Sequence, residues 1–544
     1  MSRLLRDIFA TAQSSPHALR VGSIEDPRSI TWREVHEQAS GMSNVLAGKN
    51  IGRNDTVAVL AAEASDVAPL AQALWIRGTA LTMLQQPTPR NDLAVWIADT
   101  VQACRMLNVP LVVLGDPFEM AADALAAEGL CVCTVESLRG AGPIALVDTD
   151  DSDIAMRQLT SGSTGIPKAV EISHGNLAAN IESSCRAVEI SIDTVMASWL
   201  PLCHDMGMVG FICLPMKTGN EVVVIRTDKF LRRPIVWAEM LTKFRAEVTA
   251  GPNFAYSVLA RVLEKADPAS IDLSALRVAV NGAEPIDHRD LEHLSAVGSR
   301  FGMGAGVATP FFGLAEATLT VSAGNFRAPA VVDYVSRRSL AENYRADPVV
   351  ADSENAQPVV CLGLPIPDMQ VRVTRNGQVL EEARQVGAIE LCSPSIGRQY
   401  VTVDGTVPVL DDTGWFDTGD LGYLDELGRV HVCGRIKDVI VVAGRNLHPH
   451  DIERAAASVE GVRKGCVVAL RVDNDREGFV ILAEVYERFN ESERATIRRA
   501  IAARVSSHVG HTPREVRLLN PGSLPKTTSG KLRRNSARAL LETV

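Results

Sequence analysis

The sequence predicts an α/β protein: a large N-terminal domain of sheets covered by helices, then a small α+β domain at the C-terminus. Three observations predict it. Strand-like and helix-like runs take turns over most of the chain, which implies a mostly parallel sheet layered with helices. At 544 residues the chain exceeds one ordinary core. Near Asp425–Arg429 (DELGR) the composition breaks, and a shorter alternation begins.

In chain order, Thr31 to Leu46 has helical periodicity, Thr56 to Ala62 (TVAVLAA) is a short buried strand, and Ala68 to Ile76 is a helix. Leu111 to Leu114, Val222 to Ile225, Val278 to Val280 and Ile389 to Leu391 are further strands. The segment from Ala328 to Pro358 is polar without a period and is read as irregular. Beyond the break, Val439 to Val442, Cys466 to Leu470 and Phe479 to Tyr486 are strands, and Asp451 to Val459 and Glu493 to Val509 are helices. Together they make a unit of about 110 residues, a normal domain size.

Composition narrows the function. Hydrophobic residues at 46% and charged residues at 22% are ordinary soluble values. A net charge of −10 argues against a nucleic-acid partner. The ten cysteines are scattered, and Cys131-Val132-Cys133 lacks a second pair to complete a metal site. Reduced thiols of a cytoplasmic enzyme are the expectation. Arg3 and Arg6 are not followed by a continuous apolar core, so no signal peptide is expected. No apolar run reaches the roughly 20 residues of a membrane span.

The chemistry concentrates at Leu159 to Lys168, LTSGSTGIPK. Thr160, Ser161, Ser163 and Thr164 carry hydroxyls, and Gly162 and Gly165 let main-chain N–H groups turn toward one anion. Lys168 adds positive charge. A triphosphate needs these groups, and so does nothing in a plain Ser/Gly surface linker, which is the competing reading. The P-loop pattern GxxxxGK[ST] is absent.

This stretch resembles the phosphate loop of the adenylate-forming ligases, the superfamily of acyl-CoA synthetases, luciferases and nonribosomal adenylation domains. Five further stretches follow in that superfamily's order: NGAEP at Asn281, FGLAE at Phe312, DTGD at Asp417, GRIKD at Gly434 and LPKTTSGK at Leu524. The resemblance implies that Gly282, Ala283 and Glu284 line an adenine and that Phe312, with Gly313 beside it, stacks on the base. The family usually has Tyr where Phe312 stands, so a hydroxyl is lost. It further implies that Glu316 holds Mg²⁺ against the phosphates of ATP, that Asp420 accepts from both ribose hydroxyls, and that Arg435 contacts ribose or phosphate. Thr160, Glu316 and Lys531 are the implied catalytic set, and Lys437 is the pivot of a mobile lid. The implied division is 1–434, a hinge at 435–437, and 438–544. Arg533 and Arg534 are read as an exposed basic tail.

Within the superfamily, WLPLCHDMG from Trp199 and GPNFAY from Gly251 resemble the fatty acyl-AMP ligases. The run 252–256 has no acid to hold a substrate ammonium, whose burial unpaired would be costly. His204, Asp205, Met206, Phe254 and Ala255 are the acyl-pocket candidates. The 328–358 segment stands where that branch carries an insertion that disfavours CoA. The implied acceptor is the phosphopantetheine of an acyl carrier protein. Between Ser395 and Asp417 the family pattern GYW…T…F is missing. The alternatives are a fatty acyl-CoA synthetase and a nucleotide-binding protein without catalysis.

Overall fold

The computed structural model describes residues 1–87, 92–161, 167–442, 445–472, 478–526 and 532–542, with only the backbone of Ser161, Val441, Arg445, Asn446, Asn535 and Glu542. Among these residues two large sheets dominate. The first has nine strands, and its parallel centre runs Ala308–Gly313, Val278–Asn281, Val248–Gly251, Met196–Ser198, Val222–Val224 and Ala18–Gly22. The second has eight, with Ile154–Ser161, Ala80–Met83, Thr56–Leu60, Leu111–Leu114 and Val132–Thr134 in parallel. Its other edge turns antiparallel through Pro167–Ser173 and Gln399–Thr402. Thr56–Leu60 is buried throughout, as the apolar run TVAVL requires of a strand covered on both faces.

Local chemistry starts the helices where it should. Thr31 and Glu34 form a capping box ahead of Trp32–Gly48, and Ser173 with Asn176 does the same for His174–Val188. A third sheet of five strands is wholly antiparallel, against the expectation of parallel pairing. The DELGR break is the hairpin turn joining Phe416–Leu424 to Val430–Arg435, and a connection this short permits only antiparallel neighbours.

Two cores separate along the chain. The main core draws on residues from Leu4 to Val430. The second runs from Ile440 to Leu518, on one face of a three-stranded sheet of Val462–Val472, Gly478–Val485 and Glu515–Leu519. Helices Pro449–Ala457 and Glu491–Val509 contribute to that core, and Arg534–Glu542 packs on the opposite face through Ala537. The fold is a large N-terminal sheet domain with a smaller C-terminal one.

Two expectations fail. The 328–358 segment is ordered: Val332–Ser336 pairs with Ala356–Val360, and Arg337–Asn343 is a helix capped by the Ser336 hydroxyl. Its elements are too short to show a period, and a small cluster of Val335, Leu340, Ala346 and Val359 is buried against Val386 and Tyr423. Arg534 is not tail. Its guanidinium binds Glu453 and, at 2.8 Å, the Ala469 carbonyl, joining the last helix to the sheet.

Candidate active site

Lys168 and Tyr400 meet because of strand register. Tyr400 lies opposite Val170, and Val401 opposite Ala169. Residues two apart share a face, so Lys168 and Tyr400 are diagonal neighbours within reach of long side chains. The Lys168 ammonium stands 3.7 Å from the centre of the Tyr400 ring, a cation–π contact. Both reach one atom of Glu316. Lys168 Nζ is 3.4 Å from Oε1, and the Tyr400 hydroxyl donates to Oε1 at 2.8 Å.

Glu316 sits in the single 3₁₀ turn Ala315–Ala317. Thr318, which ends it, has φ of +70°, a strained value for a β-branched residue. Its hydroxyl donates to the Ser395 carbonyl at 2.6 Å, and the Gly397 N–H donates to the Glu316 carbonyl at 2.8 Å. A Cβ at Gly397 would fall 2.6 Å from Val170 Cγ2, so glycine lets the chain carrying Tyr400 approach this closely. Burial and the neighbouring Glu316 charge push the Tyr400 phenol up, and Arg435 opposes them only in part. The phenol stays a donor.

Asp420 faces Arg435 across the antiparallel ladder. Burial pushes the Asp420 carboxyl up to about 6, with Arg435 offsetting part of that and Glu316 and Asp417 adding to it. The side chain of Arg435 is 62% exposed and that of Asp420 6%, so the pair presents its arginine to solvent. The Glu316 charge is near enough to Asp420 to add to that upward push.

An apolar cavity of about 90 Å³ lies beside the turn that carries Glu316, reaching Gly313 on one side of it and Leu319 and Thr320 on the other. Gly282, Ala283, Phe312 and Gly313 line it, together with Asp205, Met206, Gly210, Phe211 and Leu214. Ala283 has φ of +68°, and a Cβ at Gly282 would meet the Phe311 carbonyl at 2.9 Å. The NGAEP turn and the FGLAE strand therefore touch backbone to backbone. Glu284 does a structural job, accepting the Phe254 N–H at 2.7 Å at the start of helix Asn253–Leu263. His204, Phe254 and Ala255 are not lining residues, and Ala255 is wholly buried.

Thr160 pairs with Lys168 on the adjacent strand, its hydroxyl 3.4 Å from the Lys168 carbonyl. Lys437 is exposed in the 3₁₀ turn Ile436–Asp438, between the third sheet and the second core. Gly162, Ser163, Thr164, Gly165 and Lys531 lie outside the described residues, as does the side chain of Ser161. Tyr400 was missed by sequence reasoning. The signal available was a lone aromatic in the short stretch after Ser395.

A family model described as AMP-binding enzyme matches residues 8–401. The chain belongs to the AMP-binding enzyme family. A protein of Mycobacterium tuberculosis, Rv1013, is 44% identical over 99% of this chain and 100% of its own; its name calls it a ligase provisionally and states no substrate. The medium-chain-fatty-acid–[acyl-carrier-protein] ligase TtuA of Teredinibacter turnerae is 32% identical over 72% of this chain and 63% of its own. Among solved structures, one from a study of fatty acyl-adenylate ligases of E. coli and L. pneumophila superposes with a TM-score of 0.91 at 28% identity, covering 99% of this chain and 98% of that one. This AMP-binding enzyme is an adenylate-forming ligase, most like the fatty acyl-AMP ligases.

AMP-binding enzymes use ATP, and the donors here suit a magnesium ion arriving with it. Among the described residues no group of three or more His, Cys, Asp or Glu could hold a metal alone. Glu316 offers one carboxylate whose Oε2 makes no hydrogen bond with a described residue. One carboxylate plus substrate phosphates is how Mg²⁺ is usually held. Among the described residues no helix is long and apolar enough to cross a membrane.

Proposed function

We propose that this protein activates a fatty acid with MgATP and passes the acyl group to the phosphopantetheine thiol of an acyl carrier protein. The convergence of Lys168, Glu316, Asp420 and Arg435 beside an apolar cavity lined by Phe312 and Gly282 carries the reading.

In the first step a carboxylate oxygen bonds to the α-phosphorus, the α–β anhydride bond breaks, and pyrophosphate leaves. Thr160, the hydroxyls and N–H groups of 161–165, and Lys168 hold the departing phosphates. Glu316 would hold Mg²⁺, which would neutralise phosphate charge when bound. Asp420 accepts from the ribose hydroxyls with Arg435 beside it, and the Phe312 ring covers the base. Lys531 stabilises charge as it redistributes at the α-phosphate. Positioning and charge supply most of the catalysis. The unit 438–544 then turns about Lys437 and withdraws Lys531. A thiolate attacks the acyl carbonyl, and AMP leaves with the broken C–O bond's electrons.

The apolar lining supports an acid with an apolar tail. The carrier acceptor is supported by the relative named for that activity. The test supplies each fatty acid of a length series with ATP, then CoA or a holo carrier protein. Fatty-acid-dependent pyrophosphate release with transfer to the carrier alone is expected. Rapid acyl-CoA synthesis would instead make the protein an acyl-CoA synthetase, and no pyrophosphate release with any acid would defeat the enzyme reading.

A further inference from the structure

We propose that Tyr400 is a positioning residue that selects which oxygen of Glu316 faces the metal–phosphate site. The proposal rests on the nucleotide site described above and adds a residue to it.

Tyr400 and Lys168 both bind Oε1 of Glu316, and Oε2 makes no bond to a described residue. Glutamate has several rotamers, and fixing one costs conformational entropy. Two donors on one oxygen fix it in advance. The other oxygen accepts no hydrogen bond from a described residue and stays available to a cation. The phenol suits this task better than a second lysine. It donates one hydrogen bond and brings no positive charge to repel a metal. Its ring also holds the Lys168 ammonium at 3.7 Å, so one side chain orients both charged members of the site.

Three backbone features serve this contact. The register of Gln399–Thr402 on Pro167–Ser173 sets the phenol beside Lys168. Gly397 brings its strand against the Glu316 turn, and the Thr318–Ser395 hydrogen bond ties that turn to the same segment. Partners of a metal ligand that act through hydrogen bonds commonly change metal affinity by about tenfold or more.

The test measures binding without turnover. Calorimetry of the full chain with α,β-methylene ATP, with magnesium and with the metal chelated, gives the affinity ratio due to the metal. Tyr400→Phe is expected to cut that ratio about tenfold and to leave the metal-free affinity within about twofold. Glu316→Gln cuts the ratio too, and the double variant is expected to add little beyond Glu316→Gln, because both act through one carboxylate. A ring that only packs is kept in Tyr400→Phe and would leave the affinities with and without metal unchanged. An unchanged or raised ratio in Tyr400→Phe, or full additivity with Glu316→Gln, overturns the proposal. Neither fatty acid nor acceptor enters this assay, so an error about the acyl substrate leaves its outcome intact. A wild-type affinity indifferent to magnesium sinks this proposal, whatever acid the enzyme activates.

Discussion

Asp420 and Arg435 are register partners on adjacent antiparallel strands, with Arg435 Nε 3.0 Å from Asp420 Oδ1. Burial pushes the Asp420 carboxyl up to about 6. Ribose hydroxyls need its ionised form as acceptor. Below pH 6 the proton competes with the nucleoside, so affinity falls as pH falls. At pH 5 about one tenth of the carboxyl is ionised, and adenosine is expected to bind about tenfold more weakly than at pH 7.5. Adenosine is the right probe because it has no phosphate to titrate. Asp420→Asn should bind more weakly at neutral pH and show a flat profile from pH 7.5 to 5. A wild-type profile as flat as the variant's would contradict the ribose role.

The role proposed for Lys531 separates the two half-reactions. An ammonium that stabilises adenylation is not needed once acyl-AMP exists. Lys531→Ala is therefore expected to lower fatty-acid-dependent pyrophosphate release by roughly 10²–10³-fold, the range seen when one transition-state donor is lost. Thioester formation from preformed acyl-AMP should stay within a few-fold of wild type. Equal loss in both assays would show that Lys531 acts in both steps or only in folding.

The motifs made much of the candidate site legible because each is local: a turn, a strand end or a hairpin carries its own residues. Glu316, Lys168, Asp420 and Arg435 could be found that way. Tyr400 could not, since its place depends on Gly397 approaching Val170 and on pairing across more than two hundred residues. Arg534 illustrates the same limit. Its partners Glu453 and Ala469 lie in other elements, so a terminal arginine looks like a tail until the sheet is assembled. The ordered unit at 332–360 was hidden by brevity, since a five-residue strand and a seven-residue helix carry almost no periodic signal. The antiparallel third sheet was equally hidden, because pairing direction follows from connection length rather than from strand composition.

Gly210 offers a direct probe of the cavity. It lines the space, and a Cβ added there would meet only Leu319 Cδ2, at an ordinary 3.6 Å. Gly210→Leu therefore adds apolar volume with little backbone strain. At about 90 Å³ the cavity is below the usual size of ligand clefts, so a leucine takes much of it. The variant is expected to raise KM for long fatty acids about tenfold or more and to spare the shortest acids and the affinity for ATP. Pyrophosphate release across a chain-length series reads this out. An unchanged length profile would place the acyl chain elsewhere.

Gln357 donates from Nε2 to Asp451 Oδ2 at 2.7 Å, a buried bond between the 332–360 unit and the small domain. Burial raises the cost of the Asp451 charge, but neighbouring positive charge, Arg454 first, outweighs it and holds the carboxyl low. Burial also holds His448, His450 and His508 below their usual range, with Arg337 further disfavouring charge on His508. Their neutral forms belong to the docked arrangement. Histidines lowered in this way contribute stability above about pH 6.5, and the contribution is lost as pH falls below that value. Acid is therefore expected to loosen the small domain from the large one before it unfolds either. Small-angle scattering at pH 7.5 and 5.5 should show the radius of gyration rising at the lower pH with secondary structure retained. Gln357→Glu sets a carboxylate against Asp451, and like charges at this distance disfavour docking. That variant should give the expanded radius already at pH 7.5. A radius unchanged by both pH and substitution would show that the interface is held by contacts other than this bond and its histidines.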